Sequence, residues 1–493
     1  MPIPNYQTPG VYVTQTTSFN TGTVSPNALN IAFFAYVPSG SAPNNAWSDK
    51  FLVTTSGNQN FTLTQSGSIT SFGLSNNTTG LTIALSGTIN AVASGYTASN
   101  IATISGVTQF TVSGIAPNTW ISANYNYPTV INGQLYTFTN FNDVQTAFGP
   151  AFSYNQITGT SIVNSPNTLA AYLAFLNGAQ VVSCMNIIPY QGGSNQDFMT
   201  AIYSTTSTPG IDVIVPLKFD ATYNQSGQTN GSLFYALSGF LNSQATNSVY
   251  QRAFIGLDSS VQNGSTQNLI NTCQAITTNL NSTRMTLVAP QTLTYNPATN
   301  GNAGTVTGIV TIDGFYLAAA TAGLFAGQDT VATPITNKYV QGFAGIPNQI
   351  SVSDSNTLQS LGTTVVRQDR FGNINVRQGL TTNITNWLTQ EISINAIGDQ
   401  LAKNLTNGIN SANIIGSPLT PITLAALQST VGSLLTDAKN SGLIQAYNGV
   451  TYSQNPNNPT QVNIRFQYSP TIPLNYVSVV FSINSSTGTI TFQ

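Results

Sequence analysis

The sequence predicts a multidomain protein of the α+β or α/β class, with an all-β segment near the N-terminus and strand-like arms at both ends. Three observations predict this class. The chain has 493 residues, enough for several domains of about 100–200 residues each. Its charged residues avoid two long stretches, 1–48 and 51–142. Short β patterns fill the second stretch, whereas helical and β patterns alternate after it.

The stretch from Phe51 to Pro128 predicts an all-β module. Short runs such as 61–64 and 81–85 alternate apolar and polar residues, as strands with one buried face do. The Ser-Gly and Asn-Asn pairs between such runs are typical of turns. The module therefore consists of several short strands.

The residues after this module predict an α/β layer. Ser165-Pro166 supplies an N-cap and a first-turn proline for a helix that ends at Asn177-Gly178. Apolar runs predict strands at 181–188, 211–217 and 286–290, and residues 233–241 predict a helix. This order of strand, helix and strand favours a partly parallel sheet.

The last third of the chain predicts a helix followed by strands. Thr420-Pro421 begins a helix with one apolar face that ends at Gly442. Residues 461–468 alternate strictly between apolar and polar side chains, as a half-buried strand does. A second strand is predicted at 476–483, and the chain ends in a short β-prone tail.

The composition excludes most enzyme chemistry. The chain has 11 Lys and Arg, 13 Asp and Glu, no His and two Cys, Cys184 and Cys273, which we predict to be buried thiols. Without His there is no Ser-His or Cys-His nucleophile and no imidazole metal ligand. We therefore predict no enzyme activity, no catalytic, metal or cofactor-binding residues, and no cofactor. The net charge of −2 excludes a basic field for nucleic acid, and the lack of a long apolar run excludes stable membrane insertion.

Two pairs of carboxylates remain as candidates for acid–base chemistry. Asp212 and Asp220 bracket one predicted strand, and Glu391 and Asp399 lie eight residues apart on one predicted helix. An isolated acid at the end of a strand or helix is usually a cap or a solvated residue. We therefore interpret all four as structural.

A dense group of charges stands out in a chain of which only 5% is charged. It consists of Arg367, Asp369, Arg370 and Arg377. One interpretation is the solvated rim of a hairpin, whose ion pairs contribute about 0–1 kcal/mol. The other is a directional contact to another subunit, since an ionic contact on a neutral surface is selective.

The two ends of the chain predict isolated strands. A lone strand must pair its backbone groups with its own sheet or with the edge of another chain. Both alternatives stay open, and the near-neutral, assembly-prone surface favours exchange between chains. The predicted exchange residues are Pro9, Gly10, Val11, Tyr12, Val13, Thr489, Ile490, Thr491 and Phe492.

Several segments resemble, in their order, the contractile tail sheath proteins of myovirus-type phages. Thr8-Pro9-Gly10-Val11-Tyr12-Val13 looks like the Pro-Gly-Val-Tyr opening of that family, and residues 31–40 are similar to its first core strand. Further similar segments are 138–149, 175–179, 212–216, 318–323, 336–338, 379–382 and 442–473. The sequence departs from the family in its scarcity of charge at the N-terminal strand.

The resemblance implies a division into domains. Residues 1–20 would form an N-terminal strand arm, and residues 21–50 with 135–340 a discontinuous middle α/β sheath domain. Residues 51–134 would be an inserted all-β outer domain. Residues 341–483 would form a C-terminal α/β sheath domain, and 484–493 a C-terminal strand arm.

The resemblance also implies a function. The chain would be a structural subunit of a contractile tail sheath that stacks as rings around an inner tail tube and contracts to drive that tube through the host envelope. Its partners would be neighbouring copies of itself, the tail tube protein, and the baseplate and tail terminator proteins. Its location would be the virion tail, assembled in the host cytoplasm. The alternative is a surface- or carbohydrate-binding fibre or adhesin, whose site would lie in the β insertion.

Overall fold

The computed structural model describes residues 28–36, 44–55, 59–62, 71–76, 82–85, 91–93, 96–104, 107–113, 116–128, 132–155, 160–187, 193–206, 208, 210–223, 232–261, 266–297, 308–475, 481–483 and 490–492. The predicted N-terminal arm, residues 1–20, lies outside these ranges.

The strands of the described ranges are numbered in chain order. They are β1 (Asn30–Tyr36), β2 (Asn44–Val53), β3 (Gln59–Thr62), β4 (Ser71–Asn76), β5 (Thr82–Leu85), β6 (Ala91–Ala93), β7 (Tyr96–Ile104), β8 (Val107–Ser113), β9 (Thr119–Pro128), β10 (Tyr136–Phe138), β11 (Phe152–Asn155), β12 (Thr160–Val163), β13 (Val181–Ile187), β14 (Val213–Pro216), β15 (Arg252–Gly256), β16 (Met285–Ala289), β17 (Thr292–Tyr295), β18 (Val310–Asp313), β19 (Thr363–Gln368), β20 (Ile374–Val376), β21 (Ile444–Asn455), β22 (Asn458–Pro470), β23 (Phe481–Ile483) and β24 (Ile490–Phe492).

The helices of the same ranges follow the same convention. They are α1 (Phe141–Phe148), α2 (Pro166–Leu176), α3 (Asn195–Ser204), α4 (Leu233–Thr246), α5 (Thr266–Leu280), α6 (Gly314–Ala326), α7 (Val352–Ser360), α8 (Trp387–Gln390), α9 (Ile392–Ser411) and α10 (Pro421–Asn440).

The centre of the molecule is a mixed eight-stranded sheet in the order β10-β13-β1-β14-β15-β16-β19-β20. The strands from β13 to β19 in that order run parallel, and the outer strands β10 and β20 are antiparallel to their neighbours. The predicted partly parallel sheet, and with it a mixed α/β fold, is therefore confirmed.

Local signals account for the helix ends. The Ser165 hydroxyl accepts a hydrogen bond from the backbone N–H of Thr168, and Pro166 occupies the first turn of α2. Thr420 caps α10 in the same way, and Pro421 follows it. Ser and Thr hydroxyls satisfy N–H groups that have no partner within the helix. Both predicted helices are confirmed.

The sheet carries an apolar core on each face. Ile31, Phe33 and Ala35 of β1 belong to the core that also contains α1, α2 and α6. Ala32 and Phe34 belong to the core that contains α3, α4 and α5. Successive side chains of a strand point to opposite faces, so β1 joins the two cores directly. The predicted buried thiols, one in each core, are confirmed.

Small residues let α6 approach the helix beside it. A Cβ added at Gly323 would lie 2.5 Å from the carbonyl oxygen of Ala174 in α2. That atom belongs to backbone inside a helix, so no side chain rotation relieves the clash. Glycine at this position therefore sets the distance between the two helices.

The substitution Gly323→Ala is expected to lower the free energy of unfolding by about 1–3 kcal/mol, the usual cost of overpacking a core. Urea titration followed by circular dichroism measures this loss. Gly239→Ala in α4 is the matched control, because the added Cβ would meet no described atom within 4 Å outside its chain neighbours and the backbone of its own helix. Equal stability of the Gly323→Ala variant and the parent chain would contradict the packing account.

The C-terminal part has an apolar cluster of its own. It joins α9, α10 and the antiparallel ribbon of β21 and β22. Val462, Ile464 and Phe466 pack against this cluster, as the predicted alternation requires. The strand predicted at 476–483 is described only as β23, because residues 476–480 lie outside the described ranges.

The described strands of the predicted insertion form two antiparallel sheets. Their orders are β2-β9-β4-β5 and β3-β8-β7-β6. These strands span residues 44–128, slightly before the predicted limits of 51–134.

The predicted domain boundary at residue 341 does not coincide with an end of the large sheet. Strands β19 and β20, which the prediction assigned to the C-terminal domain from residue 341, pair into the large sheet. An edge strand joins a sheet through backbone hydrogen bonds, which leave no local pattern in the sequence. The division into domains stays a prediction.

Candidate functional site

Five charged side chains gather at the amino ends of three parallel strands. Asp212 directly precedes β14, Arg252 begins β15, and Arg284 directly precedes β16. Helix α9 lies across these ends and contributes Asp399 and Lys403, which are one helical turn apart. We call these five residues the ionic cluster. It links residues as far as 191 positions apart in the chain.

Asp399 binds two arginines from neighbouring strands. Its Oδ2 accepts a hydrogen bond from Arg252 Nη2 at 2.7 Å. Arg284 binds the same carboxylate with two donors, Nη2 to Oδ1 at 2.8 Å and Nη1 to Oδ2 at 3.0 Å. Such bidentate pairing fixes geometry as well as charge.

Asp212 and Lys403 form the other half of the ionic cluster. The Lys403 ammonium donates to Asp212 Oδ1. The second carboxylate oxygen of Asp212 accepts a hydrogen bond from the backbone N–H of Asn30 at 2.9 Å. The start of β1 is therefore tied to α9 through a single carboxylate.

The ionic cluster is largely shielded from water. The side chains of Arg252 and Asp399 are only 8% and 17% exposed. Burial lowers the pKa of Arg252. The Asp399 carboxylate opposes this shift, and the positive charge of Arg284 adds to it. Removing one partner of a buried pair costs about 3–5 kcal/mol, because it leaves a charge without compensation.

The other two candidate carboxylates hold the backbone or nearby amides. Asp220 accepts hydrogen bonds from Ser232 Oγ at 2.7 Å and from the N–H of Phe234 at 3.1 Å, so it caps the start of α4. Glu391 accepts hydrogen bonds from the amides of Gln378 and Asn475. The structural interpretation of Asp220 as a cap is confirmed. Asp212 and Asp399 are neither caps nor solvated residues, because both bind cations.

Burial raises the pKa of Glu391, and the two amide donors oppose that rise. A raised pKa in the folded state means that folding favours the protonated acid. The contribution of Glu391 to stability is therefore present below its pKa in the unfolded chain and is lost as pH rises through its higher folded pKa.

Glu391→Gln keeps an oxygen for the Gln378 and Asn475 donors but cannot ionise. Its stability relative to the parent chain is expected to increase as pH rises from 4 to 7. Urea midpoints at several pH values measure this difference. Parallel curves for the two proteins over this range would show that Glu391 ionises equally easily in the folded and unfolded chains.

The predicted charge group at residues 367–377 lies on the hairpin of β19 and β20. Asp369 organises its turn, since it accepts hydrogen bonds from the N–H groups of Phe371 at 2.8 Å and Asn373 at 2.9 Å. The side-chain amide of Asn373, which donates to Asp369 Oδ2 at 3.0 Å, lowers the pKa of Asp369 most, and the backbone bonds add to this shift. Arg377 donates to the side chain of Asn356 at 2.9 Å. Arg367 lies in β19 just before this turn and Arg370 lies within it. The role of the group as an interface stays a prediction.

The terminal strands are described only in part. Pro9–Val13 and Thr489 lie outside the described residues. Ile490, Thr491 and Phe492 form β24, which pairs antiparallel with β23 of the same chain. Exchange of these strands between chains stays a prediction.

Sequence reasoning missed the three cations of the ionic cluster. Arg252 and Arg284 each stand directly before an apolar strand segment, and Lys403 stands four residues after Asp399. Opposite charges at this spacing share one face of a helix. In a chain with so little charge, the spacing of Asp399 and Lys403 was the one indication of a charged helix face. It does not identify the residues on the strands that this face binds.

Neither metal-binding groups nor membrane spans occur within the described ranges. No three His, Cys, Asp or Glu side chains gather there in a metal-binding arrangement. No helix in these ranges is both long and apolar enough to cross a membrane.

No protein-family model matches the chain. A tail sheath protein of Mycobacterium phage Bxz1 is 25% identical over 379 residues, which are 76% of this chain and 61% of that protein. The chain thus spans about three fifths of the length of this curated relative.

Solved structures resemble the fold. The helical sheath of the anti-feeding prophage in its contracted state has a TM-score of 0.52 at 12% identity, covering 97% of this chain and 100% of that chain. The sheath complex of an extracellular contractile injection system, PVC, in its contracted state has a TM-score of 0.52 at 10% identity, covering 73% of this chain and 89% of that chain. The resemblance of this chain to contractile tail sheath proteins, predicted from its sequence, is confirmed.

Proposed function

We propose that this chain is a non-enzymatic structural subunit of a contractile tail sheath. The observation that carries the proposal is the sequence match to a phage tail sheath protein over 379 residues. In this role the subunit polymerises as stacked rings around an inner tube. Contraction repacks the subunits as rigid bodies and drives the tube through the host envelope.

The partners follow from this role. Copies of the same chain are the main partner, and the tail tube, baseplate and terminator proteins contact the assembly. The subunit assembles in the host cytoplasm and resides in the virion tail. A near-neutral chain, with a net charge of −2, supports association because it lacks the repulsion that separates strongly charged proteins.

Strand exchange would link the subunits. The ribbon of β21 and β22 and the pair of β23 and β24 are two-stranded sheets within the described ranges. The outer edge of a sheet is the place where a strand from another chain can add through backbone hydrogen bonds. We propose that the arms at residues 9–13 and 489–492 add to edges of this kind on neighbouring copies.

Deletion of residues 1–20 is expected to abolish assembly while leaving the described core folded. Negative-stain microscopy and sedimentation of the full chain and the truncated chain test this expectation. Tubes or rings that form only from the full chain support strand exchange, provided that the circular dichroism of the truncated chain matches that of the full chain. Well-behaved monomers in both cases, across concentration and salt, contradict the sheath proposal.

The hairpin charges provide a second test of the interface. Arg370 is exposed and its guanidinium lies 4.6 Å from the centre of the Phe371 ring, which is itself 74% exposed. Arg370→Gln is expected to raise the concentration required for assembly by about tenfold, equivalent to about 1.4 kcal/mol, without changing the urea midpoint.

Lys439→Gln is the matched control for Arg370→Gln. Lys439 is an exposed cation in the last turn of α10, far along the chain from the hairpin. If both substitutions shift the assembly concentration equally, the effect is one of net charge and not of an interface at residues 367–377.

A further inference from the structure

Helix α9 carries one row of apolar residues whose four-residue repeat does not by itself fix the position of the helix along its axis. Ile397, Leu401, Leu405 and Ile409 repeat every four residues and belong to the C-terminal apolar cluster or pack against it. A shift by four residues, about one turn, moves the helix by about 6 Å and replaces each of the first three residues with the next member of the row. Ile392 is replaced by Ala396, which is also apolar and buried, whereas Ala396 is replaced by the half-buried Gln400 and Gly408 leaves its close contact with Leu434. Packing therefore contributes to the register together with the charges. One-turn shifts of packed helices occur in proteins that change conformation.

The two charges of α9 that face the strand ends share this four-residue spacing but differ in sign, so a shift does not replace like with like. Asp399 and Lys403 have opposite signs at the same four-residue spacing. In the observed register Asp399 meets Arg252 and Arg284, while Lys403 meets Asp212. Each charge of the helix therefore faces its opposite on the strand ends.

We propose that the ionic cluster is a register lock, which holds α9 at one axial position on the sheet. A shift of one turn in one direction brings Lys403 to the place of Asp399, beside Arg252 and Arg284. A shift in the other direction brings Asp399 to the place of Lys403, beside Asp212. Both shifts bring like charges together in a partly buried site, where their repulsion is strong.

The lock acts on more than α9. Ile392 and Ala396 of this helix belong to the core of the sheet, whereas Ile397 and Leu401 belong to the C-terminal cluster. Helix α9 thus connects one core of the sheet with the C-terminal apolar cluster. Its register fixes how α10 and the ribbon of β21 and β22 meet the sheet. This inference concerns the fold of the single chain and does not depend on the proposed role in a sheath.

The charges permit a double-mutant test in the full chain. Lys403→Asp and Asp212→Lys each place like charges together and are expected to lower the urea midpoint strongly. The double variant restores an opposite pair in reversed order and is expected to recover more than half of the loss. Additive losses in the double variant would overturn the proposed pairing.

A distance measurement separates a register lock from a general loss of stability. Nitroxide labels at Ser353→Cys in α7 and Thr406→Cys in α9 report the position of the helix by double electron–electron resonance. Both sites are exposed, and the native Cys184 and Cys273 are buried. Dilution with unlabelled chain removes distances between copies.

The decisive variant exchanges the two helix charges, Asp399→Lys with Lys403→Asp. In this variant the favourable registers are one turn away from that of the parent chain. A shift in one direction brings the acid at position 403 to Arg252 and Arg284, and a shift in the other brings the cation at position 399 to Asp212. We expect a second distance population that the parent chain lacks. A single, unchanged distance together with an unchanged urea midpoint would overturn the lock.

The matched control exchanges two exposed charges on α10, Asp437→Lys with Lys439→Asp. These residues belong to the same C-terminal part and are exposed. Neither the distance nor the urea midpoint is expected to change. If the exchanged α9 variant fails to fold, the same distance is measured in the Lys403→Asp variant alone and together with Asp212→Lys. A second distance population in the single variant that the double variant lacks supports the lock, and one unchanged distance in both overturns it.

Discussion

The structure depends on burying strand β1 on both faces. Its residues 31–35 are fully buried, and they divide alternately between the two cores of the sheet. Strand β1 precedes its partners β13 and β14 in the chain by about 150 and 180 residues, so its pairing closes a long loop that contains the β insertion. The loss of entropy from such a closure grows only slowly with loop length. Apolar burial within a two-sided core is enough to offset it.

The same strand connects the cores to the ionic cluster. The N–H of Asn30 at the start of β1 binds Asp212, and the side chain of Asn30 accepts a hydrogen bond from Ser183 of β13. Asp212 in turn binds Lys403 of α9. The amino end of the sheet is therefore a single polar layer, held by charges that are mostly shielded from water. Exposed ion pairs contribute about 0–1 kcal/mol to stability. The charges of this layer are largely shielded from water, so removing one partner costs more.

Local features were predictable from the sequence, and long-range ones were not. The Ser165-Pro166 start of α2 and the alternation in β22 are set by neighbouring residues, so the sequence alone predicted them. The partners of Asp399 lie 115 and 147 residues away in the chain, and only the folded sheet brings them together. The pairing of β19 and β20 into the large sheet is not visible in the sequence for a related reason. Backbone pairing at a sheet edge requires no particular side chain.

Scarce charge has two consequences that complement each other. Inside the subunit, five of the chain's charged residues are concentrated at one joint, where opposite signs on adjacent turns of α9 select a single register. Elsewhere the chain carries little charge, so in the proposed assembly contacts between copies would rely on backbone edges, apolar residues and a few arginines. Interfaces of that kind tolerate more than one packing, because they impose few like-charge penalties. A subunit with a fixed internal joint and permissive outer surfaces is suited to an assembly that changes its packing while each copy keeps its own fold.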